Sequence, residues 1–254
     1  MANQKRLSVI GIGAGDPEHL TLQAVRRLNE VDAFFLLDKG SEKQDLAKLR
    51  EGILDRHVTR EHRVVRATDP ERDRTPTDYR ATVREWHERR ADLYEAFLRD
   101  ELADGEHGAI LVWGDPALYD STIAILNAVK RRDAVAFDYE VLPGISSVSV
   151  LAAQHRTAFN RIGTAVQITT GRRLAEGFPD GVDDVLVMLD AHCAFQRFTG
   201  EDLEIFWGAY LGTPDEILVA GPLDEVSDRI VATRAEARER TGWIMDVYLL
   251  RRRR

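Results

Sequence analysis

Short apolar blocks alternate with amphipathic stretches through the first 142 residues. Strands are predicted over 6–10, 33–37, 63–67, 109–113 and 137–142. The continuous apolar runs at 33–37 and 109–113 suit strands covered on both faces. Helices are predicted over 17–29, with Leu20, Ala24, Val25 and Leu28 on one face, and over 44–57 and 119–132. Residues 78–104 read as one helix of roughly 40 Å at 1.5 Å per residue. Its stripe is Tyr79, Val83, Trp86, Leu93 and Phe97, and Gly105 and Gly108 follow it. Such a helix packs on a domain surface or forms a dimer interface. The charged stretch 69–77, with two prolines, reads as a loop.

Strand and helix in alternation predict a mostly parallel sheet. Pro143-Gly144 is the expected boundary, giving domains 1–142 and 143–254. After it the rhythm changes. A small-residue helix over 146–154 is followed by strands over 166–170, 185–189, 204–211 and 216–220. Helices over 223–230 and 233–240 precede a last strand over 243–250. Strands with no helices between them predict a mixed or antiparallel sheet, so the expected class is α/β with two α/β domains.

Composition narrows the function. A chain of 254 residues, 44% hydrophobic, is long enough for a sizeable core. Its formal charge of −8 disfavours a polyanion partner, so no nucleic acid is expected. No run approaches the ~18 apolar residues of a membrane span. The first residues lead straight into a strand rather than a secretory signal, so a cytoplasmic protein is the expectation. One cysteine, Cys193, excludes a disulfide framework or a cysteine-based zinc site, and no metal is expected. Among the 35 basic residues only Lys5, Lys39, Lys43, Lys48 and Lys130 are lysines. The planar arginine fork suits carboxylate ligands.

Three glycine-containing loops follow predicted strands. The first, Gly11-Ile12-Gly13-Ala14-Gly15-Asp16-Pro17, fails the dinucleotide pattern because Asp16 stands where the third glycine belongs. Asp38 sits where a ribose-binding acid would be, but a carboxylate at position 16 would repel a pyrophosphate. The second is Trp113-Gly114-Asp115-Pro116-Ala117-Leu118-Tyr119-Asp120-Ser121-Thr122. Asp115 there is either the N-cap of a helix starting near Pro116 or an acceptor for a ligand. The third, Pro143-Gly144-Ile145-Ser146-Ser147, places two hydroxyls at a helix start. Ligands of open α/β sheets bind at such strand ends.

In order and spacing these three motifs resemble those of the tetrapyrrole methylases, the S-adenosylmethionine-dependent enzymes of corrin and sirohaem synthesis, a superfamily that also includes diphthine synthase. The resemblance covers nearly the whole chain and implies a homodimer of two-domain chains, with the cofactor held in the cleft between the domains. It implies cofactor contacts at Gly114, Asp115, Pro116, Leu118, Ser121, Thr122, Ser146, Ser147, Leu189, Leu211, Pro222 and Leu223. It also implies that Gly13, Ala14 and Gly15 line the tetrapyrrole side. Ala14 departs from the proline common in the family, and Leu189 from its methionine. The stretches 113–122, 162–174, 211–216 and 221–223 narrow the likeness. They imply methylation of carbon 1 of precorrin-5 with loss of the acetyl group on the neighbouring meso carbon, leaving S-adenosylhomocysteine.

Methyl displacement needs alignment more than a base. Deacetylation needs a base and an oxyanion donor, and Asp16, Tyr119 and Asp120 are the catalytic candidates, with Asp190 and His192 behind them. A polycarboxylate substrate needs local positive charge, for which Arg172, Arg173 and Lys39 are the candidates. The alternatives are a tetrapyrrole methylase of other regiospecificity, diphthine synthase, a dinucleotide-binding oxidoreductase, or a non-catalytic sensor of a small ligand.

Overall fold

The computed structural model describes residues 4–38, 44–71 and 78–253. It divides into two compact units. The first is Met1–Gly13 with Pro17–Ile145, and the second is Ala14–Asp16 with Ser146–Arg254.

The first unit is built on five strands: β1 (Lys5–Gly11), β2 (Ala33–Asp38), β3 (Arg63–Thr68), β4 (His107–Val112) and β5 (Phe137–Leu142). They lie in the order β3-β2-β4-β1-β5, and every pair is parallel. All the ligand-ready loops therefore leave the sheet at one edge. β4 is buried throughout, as its apolar run requires.

The helices differ from expectation at their ends. The helix expected over 17–29 is a 3-10 turn, Pro17–His19, followed by α1 (Leu22–Leu28). The Thr21 hydroxyl takes the Ala24 N–H at 3.0 Å and starts α1 there. α2 (Gln44–His57) has its expected limits. α3 (Tyr79–Ala96) continues as a π-helical turn, Phe97–Glu101, and does not reach residue 104. Its buried face is Arg90, Ala91, Tyr94, Phe97 and Leu98. Val83, Trp86 and Leu93 are half-buried, and the side chain of Tyr79 lies outside the described residues. Phe97 stacks on Phe35 of β2, with ring centroids 4.5 Å apart. α4 (Thr122–Arg132) starts three residues later than expected, because Tyr119 has a φ of +52° that no helix accommodates.

The second unit has a mixed sheet, β6 (Val166–Thr170), β7 (Asp184–Met188), β8 (Leu203–Ala209), β9 (Ile217–Pro222) and β10 (Asp246–Arg252), in the order β6-β7-β10-β8-β9. Only β6 and β7 pair in parallel. α5 (Ser147–Gln154) and α6 (Gly171–Leu174) precede α7 (Leu223–Thr241), one helix where two were expected. No glycine or proline interrupts 223–241, so nothing stops α7 before Gly242, whose φ is +78°. Trp207 and Tyr248 are the largest side chains wholly enclosed in this core.

A polar chain, buried at Ser8 and His107 and half-buried at Glu140, crosses the first sheet. Ser8 donates to Glu140 at 2.7 Å and accepts from His107 Nε2 at 2.7 Å. Burial, reinforced by the charges of Arg6 and Arg27, holds His107 below the usual histidine range. The unfolded chain therefore takes up a proton near pH 6.5 that the folded chain refuses. The His107 contribution to stability is constant above about pH 6.5 and is lost as the pH is lowered through it. Urea unfolding between pH 8 and pH 5 should show this slope, and His107→Gln should reduce it.

Packing of the glycines gives a second test. A Cβ on Gly144 would overlap the Gly114 carbonyl and the Gly11 backbone, whereas one on Gly52, inside α2, meets nothing. Gly144→Ala should lower unfolding free energy by roughly 3 kcal/mol or more, at or beyond the usual overpacking cost. Gly52→Ala should raise it by about 1 kcal/mol. Equal midpoints for the two variants in denaturant would contradict the packing described here.

Candidate functional site

In the first unit the three glycine loops converge. A Cβ on Gly11 would lie 2.6 Å from Gly144 N and 2.9 Å from Gly114 O, so the backbones touch where only glycine fits. Gly13 and Gly114 form an antiparallel bridge in which Gly114 N–H donates to Gly13 O at 2.8 Å. Asp115 is not a helix N-cap. One carboxylate oxygen accepts from Ala117 N–H at 2.7 Å and the other from Gly144 N–H at 3.2 Å. It ties the second loop to the third. Pro116 is buried beneath this turn, Leu118 is half-buried, and Tyr119 is 45% exposed. Burial nevertheless raises the Tyr119 phenol above its ordinary value. Exposed Asp120 does the capping, its carboxylate accepting from Thr122 N–H at 2.7 Å. Thr122 is buried and Ser121 half-buried.

Beside these loops lies a charged layer that sequence reasoning did not find. Arg90 makes two hydrogen bonds to Asp69, at 2.6 and 2.7 Å, and both side chains are under 10% exposed. Burial opposes the Arg90 charge, and Asp69 more than restores it. The guanidinium also lies 4.2 Å from the Trp86 ring centroid. Half-buried Arg50, on α2, has no hydrogen-bonded carboxylate among the described residues. Burial and the like charge of Arg90 hold it below its usual value, against the pull of Asp120 and Asp38. In sequence, positions 50 and 90 fall only within the helices predicted over 44–57 and 78–104.

The second unit presents its own strand edge. β6, β7 and β8 run in one direction and β10 starts between β7 and β8, so their matching ends lie together. Leu189, directly after β7, is 67% exposed with a φ of +55°, an apolar side chain held outward by strained backbone. Leu211, after β8, is buried. A Cβ on Gly15 would lie 2.6 Å from Leu211 O and 2.7 Å from Thr213 Cγ2. Gly15 therefore packs on this edge, with buried Ala14 and half-buried Asp16 beside it. Ser146 caps α5, taking the Ser149 N–H at 3.4 Å, and Ser147 is half-buried behind it.

Several expectations are corrected. Pro222 pairs with Glu204 at the start of β8, so Pro222 and the buried Leu223 lie at the opposite edge from Leu189 and Leu211. The residues that do join that edge are 243–246, where Met245 O accepts from Tyr210 N–H at 2.9 Å. Only the antiparallel pairing of β10 reveals them. Asp190 is not placed as a base. It is buried and accepts from His192 N–H, Ala194 N–H and the Tyr248 hydroxyl, at 2.9, 2.7 and 2.6 Å. The His192 side chain is exposed. Arg173 pairs with Glu176 at 2.7 Å, and both Arg172 and Arg173 are exposed on α6. Lys39 lies outside the described residues. Among the described residues no three histidine, cysteine or acidic side chains cluster to hold a metal, and no helix is long and apolar enough to cross a membrane.

Known proteins are similar to this chain in sequence and fold. The sequence model of the Tetrapyrrole (Corrin/Porphyrin) Methylases matches residues 6–227. A precorrin-6A synthase [deacetylating] from Sinorhizobium sp is 50% identical over 99% of this chain and 97% of its own. A solved cobalamin synthesis related protein (CobF) from Corynebacterium diphtheriae superposes with a TM-score of 0.85 at 39% identity, over 98% of both chains. The fold alone is shared with a uroporphyrin-III C-methyl transferase from Thermus thermophilus solved with S-adenosylhomocysteine. That match has a TM-score of 0.58 and 20% identity, over 96% of this chain and 91% of that one. With its parallel sheet, its three converging glycine loops and a family match over most of its length, the chain belongs to the tetrapyrrole methylases.

Proposed function

We propose that the chain is an S-adenosylmethionine-dependent methyltransferase that methylates carbon 1 of precorrin-5 and removes the neighbouring acetyl group, giving precorrin-6A. The observation that carries this reading is the 50% identity, over 99% of the chain, to a deacetylating precorrin-6A synthase. The position of the three glycine loops supports the cofactor, because they leave the parallel sheet at its carboxyl edge, where ligands of open α/β sheets bind. When bound, S-adenosylmethionine supplies a methyl group activated by a sulfonium sulfur.

The chain's own residues align the reactants. Asp115 keeps the second and third loops in register, and the exposed Leu189 offers an apolar surface to an adenosyl group. Arg50 provides a desolvated positive charge for a substrate carboxylate on an otherwise acidic protein. Arg172 and Arg173 remain candidates for further carboxylates. Homodimeric, cytoplasmic operation goes with this reading and is itself part of the proposal.

Calorimetric titration with S-adenosylhomocysteine should give saturable binding, one ligand per chain. Asp115→Ala should weaken it at least roughly tenfold, since a charge-assisted hydrogen bond contributes about 1.5–3 kcal/mol. Unchanged affinity would remove Asp115 from the cofactor site. In steady-state assays Arg50→Ala should raise KM for precorrin-5 about tenfold, with Arg50→Lys partly restoring it, as loss of one desolvated charge contact requires. An unaltered KM would exclude Arg50 from substrate binding.

A further inference from the structure

Loss of an acetyl group from carbon needs a nucleophile that accepts it and a base that takes the nucleophile's proton. One pair in the first unit has that geometry. Ser121 occupies the N-cap position of α4, yet its hydroxyl makes no cap bond. Asp120 takes the Thr122 N–H instead. The Ser121 hydroxyl lies 2.9 Å from Nε2 of His87, on α3. A serine normally favoured as a cap for its hydroxyl has released that role and faces an imidazole.

The imidazole stands on a well-anchored segment. Trp86 Nε1 donates to Pro70 O at 3.0 Å, and Arg90, three residues beyond His87, is clamped by Asp69. Tyr119, two residues before Ser121, holds strained backbone at a φ of +52°. Both members of the pair are half-buried, so the hydroxyl is partly shielded and still open to a ligand.

We propose that Ser121 is the acetyl acceptor and His87 the general base of the deacetylation. This rests on the precorrin-5 reading above. It moves Ser121 from the cofactor contacts to the chemistry, and places the base on His87 rather than on Asp16, Tyr119 or Asp120. Ser121 Oγ bonds to the acetyl carbonyl carbon while its proton passes to His87 Nε2. The bond between that carbon and the meso carbon breaks, and its electron pair enters the conjugated macrocycle. There it offsets the positive charge delivered with the methyl group. His87 releases the Ser121 proton to solvent. Water, the co-reactant, then attacks the acetyl ester, giving a proton to His87, which passes it to the departing Ser121 Oγ. Acetate leaves and the Ser121 hydroxyl is restored.

The test uses the full chain with S-adenosylmethionine and precorrin-5, measuring acetate and S-adenosylhomocysteine in the same reaction. Wild type should yield the two in equal amounts. In His87→Gln and in Ser121→Ala the ratio of acetate to S-adenosylhomocysteine should fall at least roughly 100-fold, the usual scale of a lost base. A ratio that stays at one in either variant overturns the pair, as does loss of both products in parallel. If His87→Gln fails to fold, Ser121→Ala decides, because Asp120 keeps the α4 cap in that variant. Wild type that yields neither product overturns the precorrin-5 reading and this proposal with it.

Discussion

The first unit depends on the contact of three backbones without side chains, at Gly11, Gly114 and Gly144. β1 lies between β4 and β5 in the sheet, so the chain leaves three adjacent parallel strands at one edge within van der Waals reach. A Cβ on Gly11 or on Gly144 would force them apart. Asp115 then converts proximity into register by holding N–H groups of two loops with one carboxylate. The later start of α4, the outward Tyr119 and the freed Ser121 hydroxyl all follow from how the 115–121 turn is pinned.

The second unit meets the same need with different means. Its edge is shaped by residues held at positive φ, Leu189, Cys193 and Tyr210, none of them glycine. Such backbone persists because its surroundings fix it. Asp190 accepts three hydrogen bonds around the turn after β7, and Gly171 leaves room for its carboxylate. The Tyr210 hydroxyl bonds to Thr241 at 2.7 Å and so anchors the turn after β8.

Arginine serves the core as well as the surface. Arg90–Asp69, Arg234–Asp246 and Arg251–Asp184 are enclosed pairs, and each guanidinium makes more than one hydrogen bond. A buried charge is tolerated only with such partners. Against that pattern Arg50 stands out, desolvated beside Arg90 with no hydrogen-bonded carboxylate among the described residues.

By itself the sequence determined the strands, the alternation of the first unit, the change of rhythm after Pro143-Gly144, and the glycine loops. These are local features. Apolar period and backbone freedom are properties of neighbouring residues, and the family motifs are contiguous strings. The tertiary structure decided what depends on distance between remote positions. Helix starts moved because the Thr21 hydroxyl caps α1 and the positive φ of Tyr119 keeps α4 from starting before residue 122. Pro222 and Leu223 fell at the far edge because β9 runs antiparallel to β8, a pairing no local pattern encodes. Arg50 and His87 read as ordinary helical polar residues. They gain meaning only when α2 and α3 bring them to partners far along the chain, as with the 34 residues that separate His87 from Ser121.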